Sequence, residues 1–130
     1  MCRQGASAIQ AQVLDQAADT SLRVYVSWVP ILPDDSEAAA EESSKLVTDT
    51  RTSHFWDADK ALPPLFASVL GLPQDWPAWD VYLAYLAGPT WEDEPPRPAF
   101  WHHQLGDLDV APKLDGEAFV RRLRELLEVD

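Results

Sequence analysis

Two runs constrain this chain more than any other feature: LRVYVSWV at residues 22–29 and WDVYLAYL at residues 79–86. Both are β-branched and aromatic, and the first is apolar on both faces apart from Arg23 and Ser27. A strand without a polar face has to be covered on two sides, which calls for helices above and below it. The neighbouring segments carry the helical pattern that this requires. Between residues 6 and 18 the apolar side chains Ile9, Val13, Leu14 and Ala17 fall on one helical face. Asp34, Asp35 and Ser36 offer caps to an alanine- and glutamate-rich stretch at 37–47, acidic at its start as the helix dipole prefers. A short strand pattern, TSHFW at 52–56, ends at Asp57 and leads into a helix through Leu62, Leu65, Phe66, Val69 and Leu70, which Gly71 and Pro73 terminate. The irregular QDWPA at 74–78 precedes the second apolar run, and a proline-rich acidic loop, WEDEPPRP, then delivers AFWHHQ at 99–104. Asp115 caps a last helix with Phe119, Val120, Leu123, Leu126 and Leu127 on one side.

The 130 residues, 46% of them hydrophobic, suffice for one core, so a single domain over 1–130 is expected. A formal charge of −12 repels phosphate backbones and anionic lipid surfaces, which argues against nucleic-acid and membrane partners. No apolar run approaches the ~20 residues that span a bilayer. One cysteine excludes an internal disulfide, and Met1 is followed by no basic and apolar leader, so a cytoplasmic location is expected.

Strands alternating with helices imply a largely parallel sheet, and the final pair joined by a loop implies an antiparallel edge: an α/β chain that begins with a helix. With Cys2 at the start of that helix, the order of elements resembles the thioredoxin-like superfamily, closest to its thiol-disulfide oxidoreductase and peroxiredoxin-like branches. The matching pieces are RVYVSWVP, the insertion DDSEAAAEESSKLV, SHFWD, ALPPLFASVLGL, PAWDVYLAY, AFWHHQ and GEAFVRRLRELL. SHFWD, WDVYLAY and FWHHQ also resemble runs of bacterial thioredoxin-domain proteins. The resemblance implies a three-layer fold with a central mixed sheet covered by helices on both faces. It departs in two places, because the redox motif needs two cysteines and a strand should precede it. The sequence is therefore expected to begin inside a longer frame, with Met1 at an internal position of the motif. Without that strand, the strands at 22–28 and 79–86 would pair directly, accept a strand from another chain as in a swapped homodimer, or leave the domain marginal.

The resemblance implies thiol-disulfide exchange, or a remnant of it, with Cys2 as the reactive or resolving thiol and a protein thiol or disulfide as partner. A helix start lowers a thiol pKa, yet a lone cysteine is more often a small hydrophobe. It also implies a cis-proline before the next strand, a place that Pro77 fills, with Pro73 as rival. The alternative is a noncatalytic module that binds a protein or small ligand through aromatic strand ends, with Trp28 and Trp79 as the leading contacts beside Pro77. Neighbours on a strand face opposite ways, so His102 and His103 cannot both face one metal; a site would need further ligands from His54, Asp57 or Cys2, and no metal site is expected. No Ser–His–Asp order or glycine-rich phosphate loop stands out, and no cofactor is expected.

Overall fold

The computed structural model describes residues 3–73 and 75–128. Cys2 lies outside them. The chain is α/β: α1 (Arg3–Ala8), β1 (Val24–Trp28), α2 (Glu37–Ser44), β2 (Thr52–Trp56), α3 (Leu62–Leu70), β3 (Val81–Ala84), β4 (Phe100–His103) and α4 (Gly116–Leu127).

The first helix is not uniform. α1 widens into a π turn at Ile9–Val13 and tightens into a 3-10 turn at Leu14–Gln16. The change of pitch sends consecutive apolar residues into two different cores. Val13 and Ala17 pack with Ala84, Phe100, Phe119, Val120 and Leu123, under β3, β4 and α4. Ala6 and Leu14 pack with Trp28, Ala40 and Val47, beside β1 and α2, and Ile9 and Leu22 touch both groups. One helix thus lies across two packing units.

Capping follows the sequence closely. Ser36 Oγ accepts from the Ala39 amide at 3.1 Å, and Asp115 Oδ1 accepts from Ala118 at 3.1 Å. Asp57, at the end of β2, caps α3 from outside: its two oxygens accept from the Ala61 and Leu62 amides at 3.0 and 2.9 Å. Prolines at the first positions of α3 lose no helical bond there, and Gly71, at φ +71°, ends the helix in the left-handed conformation.

The sheet corrects the expectation of one central layer. β1 pairs with β2 in parallel, Val24 opposite Thr52 and Trp28 opposite Trp56. β3 pairs with β4 antiparallel, Val81 opposite His103 and Ala84 opposite Phe100. Among the described residues these are two separate two-stranded sheets, and no ladder joins β1 to β3. The direct pairing of Val24 or Val26 with Val81 or Leu83 is therefore absent. Bonds from Val24 to the Arg51 carbonyl and from Asp57 to the Trp28 carbonyl turn alternate groups of β1 towards β2. The backbone groups of Tyr25 and Ser27 face the other way, as do those of Val81 and Leu83 on β3, and none has a partner among the described residues. The outer edge of β4, by contrast, is closed by the 112–114 segment through His103.

The expected burial of both apolar runs is corrected too. One face of β1 and β2, with Val24, Val26, Trp28 and Trp56, packs on the first helix and α2. The other carries Tyr25 at 71% exposure and Phe55 at 54%, their rings 6.3 Å apart. The second run is shorter than expected, with β3 confined to four residues that are half-buried except for Ala84.

Candidate functional site

Two tight turns follow α3 and build a groove. Trp76 donates to the Pro73 carbonyl at 3.1 Å, closing a turn over Asp75, which adopts a left-handed φ of +69°. Aspartate is one of the few side chains that tolerate that conformation. Trp79 donates to the Pro77 carbonyl at 3.1 Å, and Ala78 reaches back to the Pro63 carbonyl at 3.4 Å, which fixes the segment against α3. The result is a cleft of about 300 Å³ lined by Asp75, Trp76, Pro77, Trp79, Gln104 and Leu105.

The opposite wall is set from β4. The Gln104 amide donates to the Asp80 carbonyl at 3.0 Å, continuing the hairpin ladder to the foot of the groove. His103, fully buried, holds the next segment in place. Its Nδ1 accepts from the Leu105 amide at 3.1 Å, which assigns the proton to Nε2, placed 3.1 and 2.9 Å from the Leu108 and Ala111 carbonyls. One imidazole ties both ends of the 105–111 loop to the strand.

Of the residues singled out in the sequence, Pro77 and Trp79 come together in this groove. The peptide bond before Pro77 is trans, so the cis-proline expectation is corrected; the Trp79-to-Pro77 turn gives the segment its shape instead. Trp28 does not line the groove. It is 7% exposed, and its indole N–H donates to His54 Nδ1 at 3.0 Å while His54 Nε2 donates to the Val47 carbonyl at 2.9 Å. The two rings stack at 6.1 Å, making Trp28 and His54 a core pair beneath α2. His102 and His103 are both buried, on opposite faces, and no group of three or more acidic, histidine or cysteine side chains converges among the described residues. Burial pushes the His102 pKa down, against the pull of Asp115. Its ring stands edge-on to Phe119 at 5.1 Å, and its Nδ1 accepts from Asp115 at 3.3 Å.

Asp75, Gln104, Leu105 and the anchoring role of His103 were not found in the sequence. A proline on each side of an aspartate, Pro73 and Pro77, hints at tight turns, but a wall contributed by the residue after β4 follows only from the hairpin register. A larger, polar cleft lies beside the end of the first helix, at Asp15, Thr20, Arg23, Asp49 and Arg51. Arg51 spends its guanidinium on structure there. Its hydrogen bonds hold the Asp49 carboxyl at about 2, below the usual 3.8.

No helix among the described residues is long and apolar enough to cross a membrane. Comparison with protein-family models finds no match, and no curated protein or solved structure matches the chain significantly.

Proposed function

We propose that this chain is a thioredoxin-like module that binds a protein segment or small ligand in the groove bounded by Pro77, Trp79 and Leu105. The carrying observation is the groove itself: an exposed proline and two indoles raised by consecutive turns, backed by a loop that a buried histidine immobilises. Rigid support beneath partly exposed aromatic side chains is what a binding site needs, because less freedom is lost when a ligand arrives. The order of elements supports the thioredoxin-like part. A parallel strand–helix–strand unit is followed by an antiparallel hairpin and a helix, and the first and last helices pack on the same face of the hairpin. Chemical-shift mapping with short unstructured peptides tests the reading. Saturable shifts confined to residues 75–79 and 104–105 support it, and shifts confined to other surfaces contradict it.

A second reading is thiol-disulfide exchange at Cys2, the role that the resemblance implies for the chain's one cysteine. The Cys2 thiolate would attack a partner disulfide, forming a mixed disulfide and releasing one partner thiolate; a partner thiolate then attacks the partner's sulfur of the mixed disulfide, forming a partner disulfide and expelling the Cys2 thiolate. The rate of alkylation against pH decides: a Cys2 pKa at or above the free value of ~8.5 removes the basis for activation.

A further inference from the structure

We propose that the groove takes an organic cation, an alkylammonium or guanidinium group, against the Trp76 and Trp79 indoles, with Asp75 as its counter-charge. The proposal deepens the reading of this groove as the binding face and rests on it. Three observations carry it. The groove combines two indoles with a carboxylate, and tryptophan is the side chain whose π-face attracts a cation most strongly. Asp75 makes no ion pair and no side-chain hydrogen bond among the described residues, whereas the nearest acid in sequence, Asp80, receives the Tyr82 hydroxyl. No lysine or arginine of the chain lies over either indole; the one cation–ring contact among the described residues is Arg122 over Phe100, at 4.9 Å.

The backbone strengthens the case. Asp75 is held at a left-handed φ that most side chains avoid, and such positions persist where the surrounding structure fixes them. Here the turn bond from Trp76 and the anchoring of Ala78 on Pro63 do so, presenting the carboxylate at the groove. A purely apolar ligand would leave that carboxylate without use, and an anion would meet it directly and face a chain of charge −12. At about 300 Å³ the cleft admits one such group, whether a free small cation or a single side chain of a peptide.

The test uses the intact chain and reads the indole N–H resonances of Trp76 and Trp79. Three probes are titrated: choline, its neutral isostere 3,3-dimethylbutan-1-ol, and acetyl-Gly-Arg-Gly-amide. Choline and the arginine peptide are expected to shift both resonances saturably, with the neutral isostere about five-fold weaker or more. Asp75→Asn keeps an αL-tolerant side chain and is expected to weaken both cations by roughly two- to five-fold, leaving the isostere unchanged. Tighter binding of the peptide than of choline assigns the cation to a macromolecule; the reverse assigns it to a free metabolite. Equal affinity for choline and its isostere, or unchanged cation affinity in Asp75→Asn, overturns the cation while leaving the groove as a binding face. Silence of both indoles towards all three probes overturns the cation as well, and the binding reading falls with it if the peptide mapping is also silent.

Discussion

Replacing Arg51 with methionine removes the side chain with the most hydrogen bonds among the described residues. Its Nε and one Nη2 hydrogen bond the two oxygens of Asp49 at 2.8 and 2.7 Å, a bidentate pair in which both side chains are 14% exposed. The remaining donors reach the carbonyls of Leu14, Ala17 and Asp19. These carbonyls lie at or just past the C-terminal end of the first helix, where only Leu14 also accepts a helical bond, from the Ala17 amide, so all five guanidinium donors are satisfied and the helix end is capped by the residue that precedes β2. Breaking a buried ion pair costs about 3–5 kcal/mol and an exposed one about 1 or less; this half-open pair falls between, at about 2. The carbonyls keep some access to water, and their loss adds about 1–2 kcal/mol, for a total of about 3–4. A loss of that size is a large share of the ~5–15 kcal/mol that holds a domain together. Urea unfolding followed by tryptophan fluorescence reads it directly, and Arg51→Lys is expected to recover less than half, because a point charge cannot serve both oxygens and three carbonyls. A loss below about 1 kcal/mol in Arg51→Met refutes the capping role.

Acid acts on the same pair: the folded Asp49 pKa is below its unfolded value of 3.8, so its contribution of about 1–2 kcal/mol is complete above that pH and fades as pH falls towards about 2. Asp49→Asn should flatten that part of the stability curve. His102 acts at higher pH, because burial lowers its folded pKa: the stability it confers is present above ~6.5 and is lost as pH falls further, which His102→Phe should abolish in urea midpoints measured from pH 8 to pH 5. Gly116→Ala would place a Cβ 2.5 Å from Gln12 Cβ and should cost about 1–3 kcal/mol by thermal unfolding, with Gln12→Ala giving no full rescue, since that atom stays. His103→Leu keeps the volume but leaves the Leu108 and Ala111 carbonyls and the Leu105 amide without partners; a loss of about 2–4 kcal/mol and faster amide exchange at Leu105 are expected.

Periodicity and caps located much of this fold. Ser36 and Asp115 cap α2 and α4, Gly71 stops α3, and the apolar face of α4 is the one that meets Val13 and Ala17. These are local decisions, made within a turn or two of chain. What the sequence hid depends on distant partners. The run at 22–29 reads as covered on both sides, yet Tyr25 is exposed because no helix among the described residues packs on that face of β1. The π turn has no local signature; it accompanies Gln10, whose side chain accepts from the Thr48 and Asp49 amides, and Gln12, pressed against Gly116. Half of the candidate site was legible: Pro77 and Trp79 stand out beside a strand start, whereas Leu105 joins them only through the β3–β4 register and the bonds of His103. Trp28, at a strand end like Trp79, went instead to the core, because α2 and Val47 cover that end of β1.

Two half-sheets lie under one helix, each with an open edge among the described residues. Amide hydrogen exchange at single-residue resolution, taken with the solution mass, tests this arrangement most directly. A monomer of 14.5 kDa with those open edges is expected to show alternation: Val26 and Tyr82 exchange slowly, while Tyr25, Ser27, Val81 and Leu83 exchange fast. Slow exchange at all six with a doubled mass supports strand exchange between two copies across those edges. Slow exchange at all six in a monomer contradicts two open half-sheets, because β1 and β3 would then be paired within one chain.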